Sequence, residues 1–268
     1  MPCTIGKSEI VKQSTEGMKG LKNKMSFSGN MVSPWLMRTQ SLLGAENVAL
    51  LQNKSVCVLG LGGVGGAAAE ALCRAGIGHL ILFDHDCVDI TNLNRQLFAT
   101  THTLGQKKAE AAKQRLLSIS PALSITVIDD FYTSENAHIL FSKNLDFVVD
   151  AIDTVKSKID LAVQCQKRQI PLISCMGTGN RLDPSQLTIG DIFETGGCGC
   201  PLARIMRQQL KKAGVEKLNT VFSTEQPAKA VVNGATPGRH SPASISFVPP
   251  VAGYLQASWV IRNLLGIV

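Results

Sequence analysis

The sequence contains no C-x-x-C pair. Its eight cysteines are dispersed, and the closest two, Cys198 and Cys200, are separated by one residue. Two thiolates cannot complete a tetrahedral zinc shell, and no histidine or second pair stands nearby, which argues against a structural zinc site and leaves other metal binding or a redox role open to Cys198 and Cys200. His79, His85, His102 and His138 show no ligand spacing either. No apolar stretch of the kind a secretory signal needs lies within the first thirty residues, which points to a reducing cytoplasm and free thiols. Cys57, Cys73 and Cys175 sit in apolar runs, where a thiol acts as a small core hydrophobe. No uninterrupted apolar run is long enough for a bilayer. From Ile245 to Val268 the only charge is Arg262, but Pro249-Pro250 break the run. They leave about 16 residues, with Gln256, Ser258 and Asn263 among them, against the roughly 20 a span needs. A packing or dimer helix is expected there rather than a membrane contact. Internal repeats and a second independent core are absent as well.

What is present is enough apolar residue (44%) for one large domain in 268 residues. Lys and Arg outnumber Asp and Glu by 27 to 20. That excess permits an anionic partner such as RNA without requiring one. Residues 1–32 are polar and without periodicity and read as a disordered extension. From Ser33 onward the pattern is regular. A helix is expected over Met37–Leu51, a buried strand at "SVCVLGL", a helix over Val64–Ala75 stopped by Gly76, and a strand at "HLILFD". Next come a helix over Gln106–Ser118, the strand "LSITVI" and a short helix over Ser134–Phe141. The strand "LDFVVDAID", a helix over Lys156–Arg168 and the strand "IPLISC" complete the series. This alternation predicts an α/β, Rossmann-like, doubly wound, mostly parallel sheet, with ligands at the strand C-termini. After Gly177 the texture changes to a smaller α+β part. "QLTIGDI", "NTVFST" and "SISFVP" read as strands, residues 201–212 as a basic amphipathic helix, and Pro227–Pro242 as loop.

"VLGLGGVGG", Val58 to Gly66, follows the first strand and opens a helix. Gly60, Gly62 and Gly65 match G-x-G-x-x-G, with Gly63 beside them. Small residues there let the backbone approach phosphate, and the helix N-terminus points its free N–H groups at the anion. Asp84 ends the next strand, where an acid can hold ribose hydroxyls. These features alone do not separate a nicotinamide dinucleotide from ATP.

The residues after the second strand do. "FDHDCVDITNLNRQLF" puts two carboxylates, Asp84 and Asp86, near the nucleotide, then Asn92, Asn94, Arg95 and Gln96 one loop later. Lys107 and Lys108 crowd a helix start, which is unfavourable unless an anion sits between them. Asp153 is expected at the end of a strand, facing the glycine loop, where it can hold Mg²⁺ bridging phosphates. A dehydrogenase has no role for the Asn92–Gln96 loop or Lys108.

This set resembles the ubiquitin-activating-enzyme-like adenylyltransferases, the ThiF/MoeB superfamily that includes the molybdopterin and thiamin pathway enzymes. The shared motifs are G-x-G-G-x-G at Gly60–Gly65, D-x-D at Asp84 and Asp86, N-L-x-R-Q at Asn92–Gln96, G-x-x-K at Gly105–Lys108, and D-x-x-x-x-K at Asp153–Lys158. The resemblance implies one adenylation domain over 33–268, with 178–268 for substrate binding and dimer packing. It assigns Asp84 or Asp86 to ribose, Arg95 and Lys108 to the phosphates, and Asp153 to Mg²⁺. It implies a homodimer in which Arg38 reaches the partner's ATP site. It leaves open a monovalent cation near the site and a sulfur-transfer protein as partner.

The sulfur-carrier enzymes of this superfamily usually hold a zinc with two C-x-x-C pairs, which are missing here. The tail, "DPSQLTIGDI", "PLARIMRQQLKKAGV", "VFSTEQP" and "SISFVPPVAG", resembles instead the tRNA threonylcarbamoyladenosine dehydratases. That family implies an ATP-dependent cyclisation of threonylcarbamoyladenosine beside the tRNA anticodon. The alternative is activation of the Gly-Gly carboxylate of a sulfur-carrier protein. Arg204, Arg207, Lys211 and Lys212 lie on one broad helix face able to grip tRNA phosphates, which "KAGVEK" and Arg239-His240 could extend. Aromatic residues for stacking on unpaired bases are few: Phe193, Phe222, Tyr254 and Trp259 are scattered.

Overall fold

A computed structural model describes residues 33–229 and 242–267. The expected extension over 1–32, Arg239-His240 and most of the expected Pro227–Pro242 loop lie outside the described residues. Seven strands form one sheet: β1 Ser55–Leu59, β2 His79–Phe83, β3 Ser124–Ile128, β4 Phe147–Asp150, β5 Leu172–Cys175, β6 Leu187–Asp191 and β7 Asn219–Ser223. Their order is β3-β2-β1-β4-β5-β7-β6. All neighbours are parallel except β6, which runs antiparallel to β7. The C-terminal strands therefore continue the main sheet, with β7 pairing on β5.

Among the described residues eight α-helices accompany the strands: α1 Met37–Leu43, α2 Ala45–Gln52, α3 Gly63–Ala75, α4 Lys108–Ile119, α5 Ala137–Phe141, α6 Val155–Arg168, α7 Pro201–Lys212 and α8 Val248–Leu264. Strand β1 shows why they cover both faces. Val56 and Val58 face one core with Leu80, Leu82 and Ala68, while Cys57 and Leu59 face another with Ile81, Phe83 and Leu161. The period of two splits one continuous apolar run between two layers. A third cluster joins α6 to α7 through Ala162, Ala203, Met206 and Leu210. Burial pushes the thiols of Cys73 and Cys175 up to about 11 and about 12, as core thiols should behave.

Two segments differ most from the sequence expectation, and β4 is also shorter, ending at Asp150 where the strand was expected to run to Asp153. The helix expected over Met37–Leu51 is broken into α1 and α2 at Gly44, whose φ of 87° is left-handed. "SISFVP" is not a strand: Ser244–Phe247 is irregular and α8 begins at Val248. Pro249 and Pro250 fall in the first turn of α8, where a missing N–H leaves no helical bond unmade. The two prolines start this helix instead of breaking a longer one. α8 lies along α3, with Gly253 so close that a Cβ there would sit 2.1 Å from the Val64 carbonyl oxygen. Among the described residues, no helix is long and apolar enough to cross a membrane.

Candidate active site

The strand order reverses between β1 and β4, so their C-terminal ends open a crevice where an open α/β sheet binds its ligand. The glycine loop fills that position. Gly60 has a φ of 82°, and a Cβ on it would lie 2.7 Å from the Ala151 carbonyl oxygen. A Cβ on Gly65 would lie 1.8 Å from the Gly60 oxygen, and one on Gly63 2.9 Å from Pro249 Cβ. Packing within the protein therefore dictates these three glycines. Gly62, which precedes α3, is different. Its φ is −73°, and a Cβ there meets only the Gln96 amide nitrogen, at 3.8 Å. No protein atom requires glycine at 62, and the space in front of it suits a phosphate approaching the N-terminus of α3.

Asp84 is buried and clamps this loop. One carboxylate oxygen accepts from the Leu61 N–H at 2.6 Å and the other from the Asp86 N–H at 2.8 Å. Burial raises its carboxyl above the ordinary value, with these two bonds pulling the other way. Asp86 is exposed. Its carboxylate pairs with Lys108 at 2.7 Å and His85 at 3.1 Å. Partial burial opposes the Asp86 charge, but the Lys108 bond outweighs it and holds the carboxyl below its ordinary value. Of the two acids, Asp86 is thus the one that faces outward.

Lys107 and Lys108 do not wait for an external anion. Lys107 occupies the N-cap position of α4 without a side-chain capping bond and pairs with Asp129 at 3.1 Å, while Lys108 is buried against Asp86. The crowding expected at this helix start is relieved by the protein's own carboxylates. One loop on, Asn92 closes a capping box with Asp89, and Gln96 is buried beside Gly62. Arg95 donates to the Thr91 carbonyl at 2.9 Å and to Asn94 Oδ1 at 2.8 Å, and Asn94 donates to the Ser244 carbonyl at 3.1 Å. Its side chain passes Gly63, which brings a braced guanidinium to the glycine loop.

Strand β4 ends at Asp150, three residues before Asp153, so Asp153 lies in a loop and not at a strand end. Its exposed carboxylate accepts one bond, from the Thr154 hydroxyl at 3.3 Å. Nor does Asp153 pair with Lys158. That lysine, fully buried, pairs with Asp150 at 2.8 Å, and Ser174 Oγ donates to the same carboxylate oxygen at 2.6 Å. The Asp150–Lys158–Ser174 group was missed in the sequence. Its signal was an acid ending a buried strand with a lysine eight residues on. Arg38, on α1, is exposed.

In the tail, Cys200 caps α7, its sulfur accepting from the Ala203 N–H at 3.4 Å, and Cys198 is buried beside it. Arg204, Lys211 and Lys212 are exposed on α7, but Arg207 turns back to donate to the Thr195 carbonyl and hydroxyl oxygens at 2.8 and 2.6 Å.

Known proteins resemble this chain in sequence and in fold. The chain is 42% identical over 239 residues to the tRNA threonylcarbamoyladenosine dehydratase of Bacillus subtilis, covering 85% of this chain and 93% of that one. A solved structure of Escherichia coli tRNA N6-threonylcarbamoyladenosine dehydratase, TcdA, in complex with AMP matches with a TM-score of 0.80 and 33% identity, covering 89% of this chain and 98% of that one. The molybdopterin-synthase adenylyltransferase of Escherichia coli is 34% identical over 139 residues, 52% of this chain and 54% of that one. The model of the ThiF family matches residues 36–268, from the approach to α1 through the glycine loop and the tail to the C-terminus, and the chain belongs to that family.

Proposed function

We propose that this chain uses ATP to cyclise threonylcarbamoyladenosine in tRNA, beside the anticodon. The observation that carries this reading is the similarity to the Bacillus subtilis dehydratase, which extends through the tail as well as the nucleotide half. The threonyl carboxylate attacks the α-phosphate of ATP, forming an acyl-adenylate and releasing pyrophosphate. The neighbouring carbamoyl group then attacks the activated carbonyl, closes the ring and expels AMP. The substrate has lost water overall. Ring closure is intramolecular, so no covalent enzyme intermediate is needed.

The protein's share is charge neutralisation and positioning. The loop Gly60–Gly65 and the α3 N-terminus seat the phosphates. Asp86 faces the ribose, with Asp84 holding the loop in shape. Arg95 and Lys108 serve the phosphates, and Asn92, Asn94 and Gln96 frame the nucleotide. Asp153, which has no cationic partner among the described residues, would hold Mg²⁺. The ion's contribution is further neutralisation of the β- and γ-phosphates. The same reading has 33–268 as one adenylation domain in the cytoplasm, and keeps room for a monovalent cation and a sulfur-transfer partner protein. The deciding measurement is AMP release from labelled ATP with tRNA that carries or lacks the threonylcarbamoyl group. AMP is expected only with the modified tRNA. No AMP with either tRNA would redirect attention to a small Gly-Gly-tailed protein as the carboxylate donor.

The reading includes a homodimer in which Arg38 completes the partner's ATP site. Its position is exposed on α1, and no carboxylate pairs with it among the described residues. Arg38→Ala is expected to abolish ATP turnover while leaving the melting temperature within a degree or two, since surface substitutions usually change stability by less than about 0.5 kcal/mol. Unchanged turnover would remove the cross-subunit role.

A further inference from the structure

A second glycine-rich loop precedes a second helix. Residues 195–200 read Thr-Gly-Gly-Cys-Gly-Cys and lead into α7. A cavity of about 420 Å³ opens between this loop and the first two turns of α7. Gly197, Gly199, Arg204 and Arg207 are among its lining residues, and none of the lining residues is acidic. Gly197 and Gly199 adopt φ of 79° and 66°, which a side chain would strain, and nothing lies within 4 Å of a Cβ built on Gly196 or Gly197. The loop is therefore shaped by glycine and open on one side, above a helix N-terminus that favours negative charge.

Three guanidinium groups meet this loop. Arg207 is held at the rim by its bonds to Thr195. Arg204 has no side-chain partner among the described residues. Arg181 comes from the interior, only 3% exposed, and its Nη2 donates to the Cys198 carbonyl at 2.9 Å. Its Nε and Nη1 have no partner, and no carboxylate pairs with it among the described residues. Arg181 does not itself line the cavity; its positive charge sits behind the loop, bonded to it through the Cys198 carbonyl.

We propose that this cavity is the seat of an RNA backbone phosphate. The volume is that of a small-ligand site, enough for a phosphate with its sugar. A free oxyanion would need the cavity alone. Here the cations continue along the same exposed face to Lys211, seven residues or about 10 Å beyond Arg204, which suits a polyanion. The seat also lies toward the reaction edge of the sheet. A Cβ on Gly177, two residues past β5, would be 3.1 Å from Cys200 Sγ. A strand crossing this seat can continue toward the nucleotide crevice. This rests on the tRNA reading above.

The test is binding of fluorescently labelled tRNA over a series of salt concentrations, with the full chain and its Arg204→Glu and Arg204→Lys variants. Arg204→Glu is expected to weaken tRNA binding about tenfold and to lower the slope of log Kd against log salt by about one. Arg204→Lys should restore most of the slope. Thermal unfolding checks that the exposed substitution leaves the fold intact. Equal affinity and slope in the wild type and Arg204→Glu would overturn the seat while leaving the tRNA reading in place. No tRNA binding by the wild type would overturn both. Inorganic phosphate is the second ligand: if it binds in an Arg204-dependent way and tRNA binding is unaffected by Arg204→Glu, the cavity takes a free oxyanion and the RNA seat is wrong.

Discussion

Gly65→Ala is expected to lose both ATP use and stability, whereas Gly62→Ala loses ATP use alone. The difference follows from what each new methyl meets. At 65 the Cβ falls 1.8 Å from the Gly60 carbonyl oxygen, a backbone atom that can yield only if the loop moves. Gly60 cannot follow freely, because its own Cβ position is 2.7 Å from the Ala151 oxygen. The loop is pinned between β1 and the chain after β4, so the strain spreads into the crevice. A displacement of about 1 Å in a phosphate cradle lowers kcat/KM by about 100-fold, or about 2.7 kcal/mol. Overpacking adds about 1–3 kcal/mol of destabilisation. At 62 the methyl meets only the Gln96 amide, at 3.8 Å. Its expected effect is a rise in the KM for ATP with little change in the urea midpoint. Steady-state kinetics and equilibrium unfolding of both variants check this. A Gly62→Ala enzyme with an unchanged KM for ATP would mean that no phosphate approaches this loop.

Lys158→Met should lower stability by about 3–5 kcal/mol, a large share of the roughly 5–15 kcal/mol available to a folded domain. The lysine and Asp150 are 0% and 1% exposed, and their ion pair of 2.8 Å lies at the end of β4. Removing the cation leaves a carboxylate in the core with only the Ser174 hydroxyl and the Ile152 N–H to stabilise it. The double variant Lys158→Met/Asp150→Asn should recover a substantial part of the loss. The asparagine carries no charge and keeps an oxygen for the Ile152 N–H. Denaturant unfolding of the single and double variants reads the difference. A double variant less stable than Lys158→Met would show that the pair is not governed by its uncompensated charge.

The alternation of strands and helices was legible because each strand from β1 to β5 is apolar enough to be buried and each helix has its own start or stop. Gly76, left-handed at φ 97°, ends α3 where the sequence suggested. The two largest errors in the elements have local causes. Gly44 offers no signal in sequence that it will turn left-handed and not continue a helix. "SISFVP" has a strand's composition, but its end is taken up by the start of α8, where Pro249 and Pro250 occupy the first turn.

The site residues show the same division. Sequence alone determined which charges gather at one sheet edge, because parallel strands bring their C-termini together whatever else varies. It fixed the glycine loop, the acids after β2, the Asn92–Gln96 loop and the basic helix. Tertiary structure alone decided which charge answers which. The D-x-x-x-x-K motif sets Lys158 beside Asp153 in sequence, yet Lys158 points into the core and meets Asp150. Lys107 and Lys108 seemed to need a phosphate, yet Asp129 and Asp86 arrive from other segments. Arg207 looked like part of an exposed face, yet it bonds to Thr195. Arg181, unremarked in the sequence, proved to be a buried cation under a glycine loop. Periodicity records which way a side chain leaves its own element. A charge is satisfied by whatever lies within about 3–4 Å, and here those neighbours come from other elements, 8 positions away in sequence for Lys158 and Asp150 and 22 for Lys108 and Asp86.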